Sequence, residues 1–326
     1  MKVVIPLAGK GTRLRPHTHT VPKPLLDVAG KAVLDYVVED VLRQLDVEML
    51  VFITGHLKAQ VEAHVEAHYT VPAVFVEQEV QDGTAGAIKL AEPYVDGPVL
   101  IIFVDTVFDA DLSVINAHPE ADGFIWAKEV EDYQRFGVIL TDEAGMMQRI
   151  IEKPKEPISR LANIGVYYLR DYRLLFEGID HTLASDKYMG EYFLTDALQY
   201  MIDKKSRIKV LEVKGWYDCG KPETLLATNR HLLETGRALR PDDAGDNTIV
   251  EPVRIESGVE LSQSTIGPNV SIGKGSRITG ATLRDCIVGE DAVIEDCELS
   301  ESLVGAHVRI RGVHGTVLLG DHSAAW

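Results

Sequence analysis

The amino-acid sequence predicts an α/β protein in which a mostly parallel sheet flanked by helices is followed by a short β-helix. Three features carry that reading: nearly continuous apolar runs alternating with amphipathic segments, a change of composition near residue 239, and a six-residue repeat from about Glu251. The runs at residues 3–8, 49–54, 73–77, 99–104 and 123–127 suit strands buried on both faces, as in a parallel sheet. Between the first two, Leu34, Val37, Val38, Val41, Leu42 and Leu45 follow the i, i+3, i+4, i+7 spacing of an amphipathic helix. This is βαβ logic, which places ligands beyond the carboxyl ends of the strands and directs attention to the loops after Ala8 and Val104.

A further helix is expected to start at Pro222 and stop at Gly236, with proline in the first turn and glycine past the last. Residues 239–252 hold two prolines, a glycine and several acidic side chains among few apolar ones, and the stretch 239–250 reads as a connector. After it, Ile266-Gly267, Ile272-Gly273 and Ile278-Thr279 recur every six residues, and Val288-Gly289 and Val304-Gly305 continue less regularly. An aliphatic residue followed by a small one at that period marks one face of a β-helical coil. The expected organisation is a catalytic domain at 1–238, the connector at 239–250 and a hexapeptide-repeat domain at 251–326.

Composition narrows the class of function. With 45% hydrophobic and 25% charged residues the 326-residue chain is globular in type, and no apolar run reaches membrane-spanning length. The apolar amino-terminal stretch is too short for a signal-peptide core, so a cytoplasmic location is expected. Three cysteines, Cys219, Cys286 and Cys297, fit neither a disulfide framework nor a zinc site. A net charge of -17 argues against a nucleic-acid partner, which needs dense Lys and Arg patches. Phosphate chemistry would have to use a local basic site.

Such a site is written at the first strand end. Gly9-Lys10-Gly11-Thr12-Arg13 is followed by Pro22-Lys23-Pro24, and glycines let backbone N–H groups approach phosphate while Arg13 and Lys23 offset triphosphate charge. The spacing is neither that of a Walker A loop nor G-x-G-x-x-G. Taken alone, the motif also fits a tight strand-to-helix turn with solvated basic residues.

Residues 5–13, Ile-Pro-Leu-Ala-Gly-Lys-Gly-Thr-Arg, together with Pro22-Lys23-Pro24, resemble the signature of the sugar-1-phosphate nucleotidyltransferases, or nucleoside-diphosphate-sugar pyrophosphorylases. The opening is similar to the bacterial UTP–glucose-1-phosphate type, and further matches extend to about residue 236. The resemblance implies a Rossmann-like three-layer nucleotidyltransferase domain followed by a left-handed β-helix, resembling the glucose-1-phosphate thymidylyl- and uridylyltransferases. It implies nucleotide contacts from Leu7, Ala8, Gly9, Gly11 and Thr12. Gln78, five positions before Gly83-Thr84, would hydrogen-bond the base; the alternative is a solvated Gln before a helix capped by Thr84.

The remaining matches follow in family order. Asp105 in Val104-Asp105-Thr106-Val107-Phe108 resembles the metal carboxylate of a Gly-Asp-x-x-Phe motif, with valine in place of the glycine. Gly137, Glu152 and Asn163, and Glu191 within the 190–196 stretch, correspond to sugar contacts, and Lys153 to the group that holds the sugar phosphate. Asp218, in Trp216-Tyr217-Asp218-Cys219-Gly220, corresponds to the second metal carboxylate. The implied cofactor is Mg²⁺ and the implied substrates are a nucleoside triphosphate and a hexose 1-phosphate. A sugar phosphate is already ionised and needs no general base, so Arg13, Lys23 and Lys153 would serve charge and positioning in an in-line displacement.

UTP or dTTP with glucose 1-phosphate is the leading expectation, and GTP with mannose 1-phosphate the alternative within the class. Two other classes are acyl transfer on the β-helix, for which only His307, His314 and His322 are available in the tail, and a non-catalytic homologue, against which the full set of charged residues argues. The tail is expected to serve assembly of a homo-oligomer.

Overall fold

A computed structural model describes residues 1–241 and 243–326; Asp242, within the expected connector, lies outside the described residues. The chain forms two compact units, one of Met1–Gly9, Val37–Val104 and Phe108–Trp216, the other of Lys10–Tyr36, Asp105–Val107 and Tyr217–Trp326.

The first unit is built on a nine-stranded mixed sheet. Strands Val99–Ile102, Lys2–Pro6, Met49–Thr54 and Ala73–Glu77 run parallel in that order. The long strand Leu161–Leu169 joins antiparallel beside Val99–Ile102 and also pairs with Gly123–Glu129. Gly137–Thr141 and Met147–Glu152 close one edge, and Ile208–Glu212 lies parallel to Gly123–Glu129. Consecutive residues such as Val3, Val4 and Ile5 are all at most 1% exposed, the mark of a strand covered on both faces. Helices Thr84–Lys89, Tyr172–Leu183 and Leu194–Asp203 pack one face through Ile88, Leu175, Ile179, Leu194 and Leu198.

In the second unit the tail is a left-handed parallel β-helix of three ladders. Its register explains the six-residue repeat. Ile266, Ile272 and Ile278 occupy successive faces of one coil, each at most 1% exposed. They stack on Leu283, Val288 and Ile294 of the next coil and then on Leu299, Val304 and Ile310. Each aliphatic column buries what a lone coil would expose.

The tail shares its unit with an amino-terminal strap, residues 10–36. Leu14, Leu26, Val28 and Val33 form a core with Leu225, Leu232, Ile287 and Leu303. Helix Pro222–Leu232 lies in that core, and Gly236, at φ 113°, ends the short turn that follows it. No helix among the described residues is long and apolar enough to cross a membrane.

Candidate active site

In the first unit, the loop after strand Lys2–Pro6 is held by Leu7, whose amide donates to Ile53 O at 2.6 Å, and by Ala8, whose carbonyl accepts Gln81 Nε2 at 2.7 Å. Gly55 lies so close that a Cβ there would sit 2.7 Å from Ala8 O. Gly9 has open space around it. Gln78 is 8% exposed, so it is a buried side chain and not a solvated one; its amide nitrogen reaches Gly83 O and Asp82 Oδ1, each at 3.3 Å. Gly83 has φ 128°, and a Cβ on it would meet Tyr192 O at 2.3 Å, which excludes every other residue type. Gly83, not Thr84, is the N-cap; the Thr84 hydroxyl accepts the Leu194 amide at 2.9 Å and ties this loop to the 190–196 stretch.

The predicted sugar segments converge within the same unit. Gly137 presents a bare backbone: a Cβ there would stand 3.0 Å from Glu152 Oε2, 3.0 Å from the Thr195 methyl and 3.7 Å from Asn163 Nδ2. The Glu152 side chain is only 13% exposed and accepts the Thr195 hydroxyl at 3.1 Å. Burial raises its carboxyl above the ordinary carboxylate range, opposed by the charge of Lys153, while Asp196 and Glu191 push the same way as burial. Asn163 donates to the Tyr167 hydroxyl and accepts the Gly165 amide at 2.8 Å, so its amide is oriented from both sides. Lys153 has φ 41°, is bonded through its amide to Phe136 O at 3.0 Å, and holds Nζ 4.7 Å over the Phe193 ring. Glu191 is exposed, its backbone paired with Tyr188. Trp216 Nε1 is buried without a hydrogen-bond partner among the described residues, and its ring stands edge-on to Phe136 at 5.0 Å.

The charged groups of the phosphate motif gather in the second unit. Gly11, at φ 59°, packs so tightly that a Cβ would touch Thr18 and Lys23, and Thr18 Oγ1 donates to Gly11 O at 2.9 Å. Thr12 opens the short turn that carries Arg13. Lys23 Nζ lies 3.5 Å from Asp105 Oδ2. The Cys219 amide donates to Asp105 O at 2.9 Å, which brings Asp105 alongside the segment that carries Asp218. Asp218 Oδ1 accepts the Gly220 amide at 2.7 Å, and a Cβ on Gly220 would stand 3.1 Å from an Arg13 guanidinium nitrogen. Arg13, Lys23, Asp105 and Asp218 thus surround one turn. The Cys219 thiol beside them is pushed up to about 12 by burial, so it is neither thiolate nor nucleophile near neutral pH.

Two carboxylates fit a hard cation that takes one or two protein carboxylates and completes its shell with phosphate oxygens and water. No group of three or more His, Cys, Asp or Glu side chains placed to hold a metal occurs among the described residues. The residues that sequence reasoning missed are supporting ones: Gln81 and Tyr167 each orient a predicted residue through a contact that only the folded chain creates, as Thr195 of the predicted 190–196 stretch does for Glu152.

Among proteins of known name, the chain is 34% identical over 343 residues to the bifunctional protein GlmU of Methanococcus aeolicus, covering 95% of this chain and 81% of that one. It is 29% identical to a glucose-1-phosphate thymidylyltransferase of Streptomyces antibioticus, across 99% of this chain and 98% of the relative. A crystal structure of a UDP-glucose pyrophosphorylase complexed with UDP-glucose superposes with a TM-score of 0.64 at 25% identity, over 72% of this chain and 98% of that one. The model of the nucleotidyl transferase family matches residues 2–235, and the chain belongs to that family, which makes it a nucleotidyltransferase.

Proposed function

We propose that the chain transfers the nucleotidyl group of UTP or dTTP to glucose 1-phosphate, giving a nucleoside-diphosphate sugar and pyrophosphate. The observation that carries this reading is the polar cradle of Gly137, Glu152, Asn163 and Thr195, which pairs a bare backbone with a buried carboxylate and an oriented amide. Such groups suit the hydroxyls of a hexose. Buried Gln78 beside Gly83 supplies what the edge and face of a pyrimidine require, a hydrogen-bonding amide and a backbone with no Cβ. Named relatives that act on glucose 1-phosphate support the same sugar.

In this reading the sugar phosphate attacks the α-phosphorus as the bond to pyrophosphate breaks, with no covalent enzyme intermediate. Arg13 and Lys23 offset the charge of the triphosphate, and Lys153 steadies the attacking phosphate. Leu7, Ala8, Gly9, Gly11 and Thr12 offer backbone to the nucleotide, Thr84 ties the loop that carries Gly83 to the 190–196 stretch, and Glu191 adds a further sugar contact. Asp105 and Asp218 would hold Mg²⁺, which when bound screens the repulsion between two anions. Residues 1–238 then form the catalytic region, and the tail at 251–326 serves assembly into a homo-oligomer. A pyrophosphate-release matrix of common nucleoside triphosphates against glucose, mannose, galactose and N-acetylglucosamine 1-phosphates tests the assignment: UTP or dTTP with glucose 1-phosphate should lead. A different leading pair replaces the substrates proposed here, and no release from any pair in the presence of magnesium sinks the catalytic reading.

A further inference from the structure

Within the second unit, a cavity of about 200 Å³ lies between the strap and the coils of the tail. It belongs to neither constellation described above. Its apolar wall is made by Leu14, Leu26, Leu225, Ile287 and Leu303. Its volume is sufficient for a small guest, since an apolar cavity of ~150 Å³ already admits benzene.

Two polar features break the apolar lining. His17 is 7% exposed, lines the cavity, and its Nε2 is buried with no hydrogen-bond partner among the described residues. A buried polar atom in that state is unfavourable, so a bond supplied from outside would be rewarded. Burial also pushes His17 below its ordinary value against the pull of Asp321, which keeps the ring neutral at pH 7 with one ring nitrogen free to accept. The second feature is charge: the lining carries the carboxylates of Asp27, Glu290 and Asp321 and neither Lys nor Arg. Glu290 is met by Lys274 at 3.2 Å, outside the lining. Asp321 is fixed in place, accepting the Ala306 amide at 2.9 Å and the Thr20 hydroxyl at 3.1 Å.

We propose that this cavity is a binding site for a small primary ammonium compound with a compact hydrocarbon body, its ammonium donating to His17 Nε2 beside Asp321 and its body against Leu14, Leu26, Ile287 and Leu303. The lining offers carboxylates and neither Lys nor Arg to a ligand, so it favours an ammonium over a phosphate or carboxylate and is unsuited to nucleotides and sugar phosphates. It is reached by the same strap that carries Arg13 and Lys23.

Cyclohexylammonium is a probe of suitable size, with cyclohexanol and cyclohexanecarboxylate as shape-matched controls. Titrated into the full chain at pH 7.5 without substrates and followed by calorimetry and ligand-observed NMR, the ammonium should bind saturably with Kd of ~1 mM, and the carboxylate at least ~10-fold more weakly. Asp321→Asn retains the shape and one of the two acceptor oxygens but loses the charge, and His17→Leu removes the ring acceptor; each should weaken the ammonium by ~10-fold, with melting temperature recorded as the control for folding. Leu303→Trp fills the cavity and should abolish binding. The proposal is overturned by the absence of saturable binding up to ~20 mM, by a carboxylate that binds as well as the ammonium, or by an affinity that survives in folded Asp321→Asn and His17→Leu.

Discussion

The hydroxyl of Ser271 donates to Asn229 Oδ1 at 2.6 Å in a place where Asn229 is fully buried and Ser271 is 4% exposed. The same oxygen accepts the Ala29 amide at 2.9 Å, and the Asn229 amide nitrogen donates to Asn269 O at 3.2 Å. One side chain on helix Pro222–Leu232 therefore satisfies a strap amide, a coil hydroxyl and a coil carbonyl. Asn229→Ala should lower unfolding stability by about 2–4 kcal/mol, because several buried groups lose their partner together, while Ser271→Ala should cost about 1 kcal/mol. Chemical denaturation of the two variants checks this; an Asn229→Ala loss no larger than that of Ser271→Ala would deny the shared oxygen its role.

Asp218→Asn should abolish nearly all turnover and leave the fold intact. The Gly220 amide can still donate to the remaining amide oxygen, so the turn survives, but one negative charge is lost where a cation would sit. Loss of ~3–5 kcal/mol of transition-state stabilisation corresponds to roughly 10²–10⁴ in rate. Single-turnover assays across a magnesium titration decide the matter, with melting temperature followed in parallel. A folded variant within about fivefold of the parent at subsaturating magnesium removes Asp218 from the site.

Gln78→Ala should weaken discrimination between bases more than use of the sugar phosphate. A base edge left unpaired in a buried site costs about 1–3 kcal/mol, or roughly 5- to 150-fold in kcat/KM for the preferred nucleotide. The measurement is the ratio of kcat/KM for two nucleoside triphosphates, with KM for the sugar phosphate as internal control. An unchanged ratio alongside an unchanged nucleotide KM would falsify the assignment.

Glu152→Gln separates binding from stability. Burial raises the Glu152 carboxyl in the folded state above its unfolded value of 4.5, so its contribution to stability is fully present below pH 4.5 and is lost as pH rises through the folded value. At pH 7 the parent carries a partly desolvated charge that the glutamine does not, and Gln can still accept the Thr195 hydroxyl. The variant should therefore melt at the same temperature or higher at pH 7, with its advantage shrinking towards pH 4, while KM for the sugar phosphate rises about tenfold. A lower melting temperature at pH 7 with unchanged KM would make Glu152 a structural residue.

The parts legible in sequence are those encoded by a short period. Met49–Thr54 and Ala73–Glu77 have the bounds that their apolar runs predict, and Ile266, Ile272 and Ile278 stack as the hexapeptide rule requires. Strand Leu161–Leu169 is different: it pairs antiparallel with Val99–Ile102 and Gly123–Glu129, more than thirty residues away, and no local pattern announces that pairing. The same holds for side chains. Gln78 could be singled out by its offset from Gly83, whereas the hydroxyl that Thr195 gives to Glu152, 43 residues away, and the three bonds of Asn229 exist only after distant segments meet. Helix Pro222–Leu232 shows the intermediate case, since the glycine stop signal was sound but regular α-geometry ends four residues earlier, at Leu232, and a looser turn bridges the gap.

The core shared by Leu14 and Leu26 with Ile287 and Leu303 also sets an order of events during synthesis. Chains emerge from the ribosome at roughly 5–20 residues per second, so the strap waits on the order of 15–60 s before the coils that complete its packing exist. Until then Arg13 and Lys23 sit on a segment without its full complement of neighbours. A chain that stalls or is cleaved before residue 287 lacks the coil residues that finish the core around Leu14 and Leu26. The first thirty residues thus reach their full packing only once the last coils have been made.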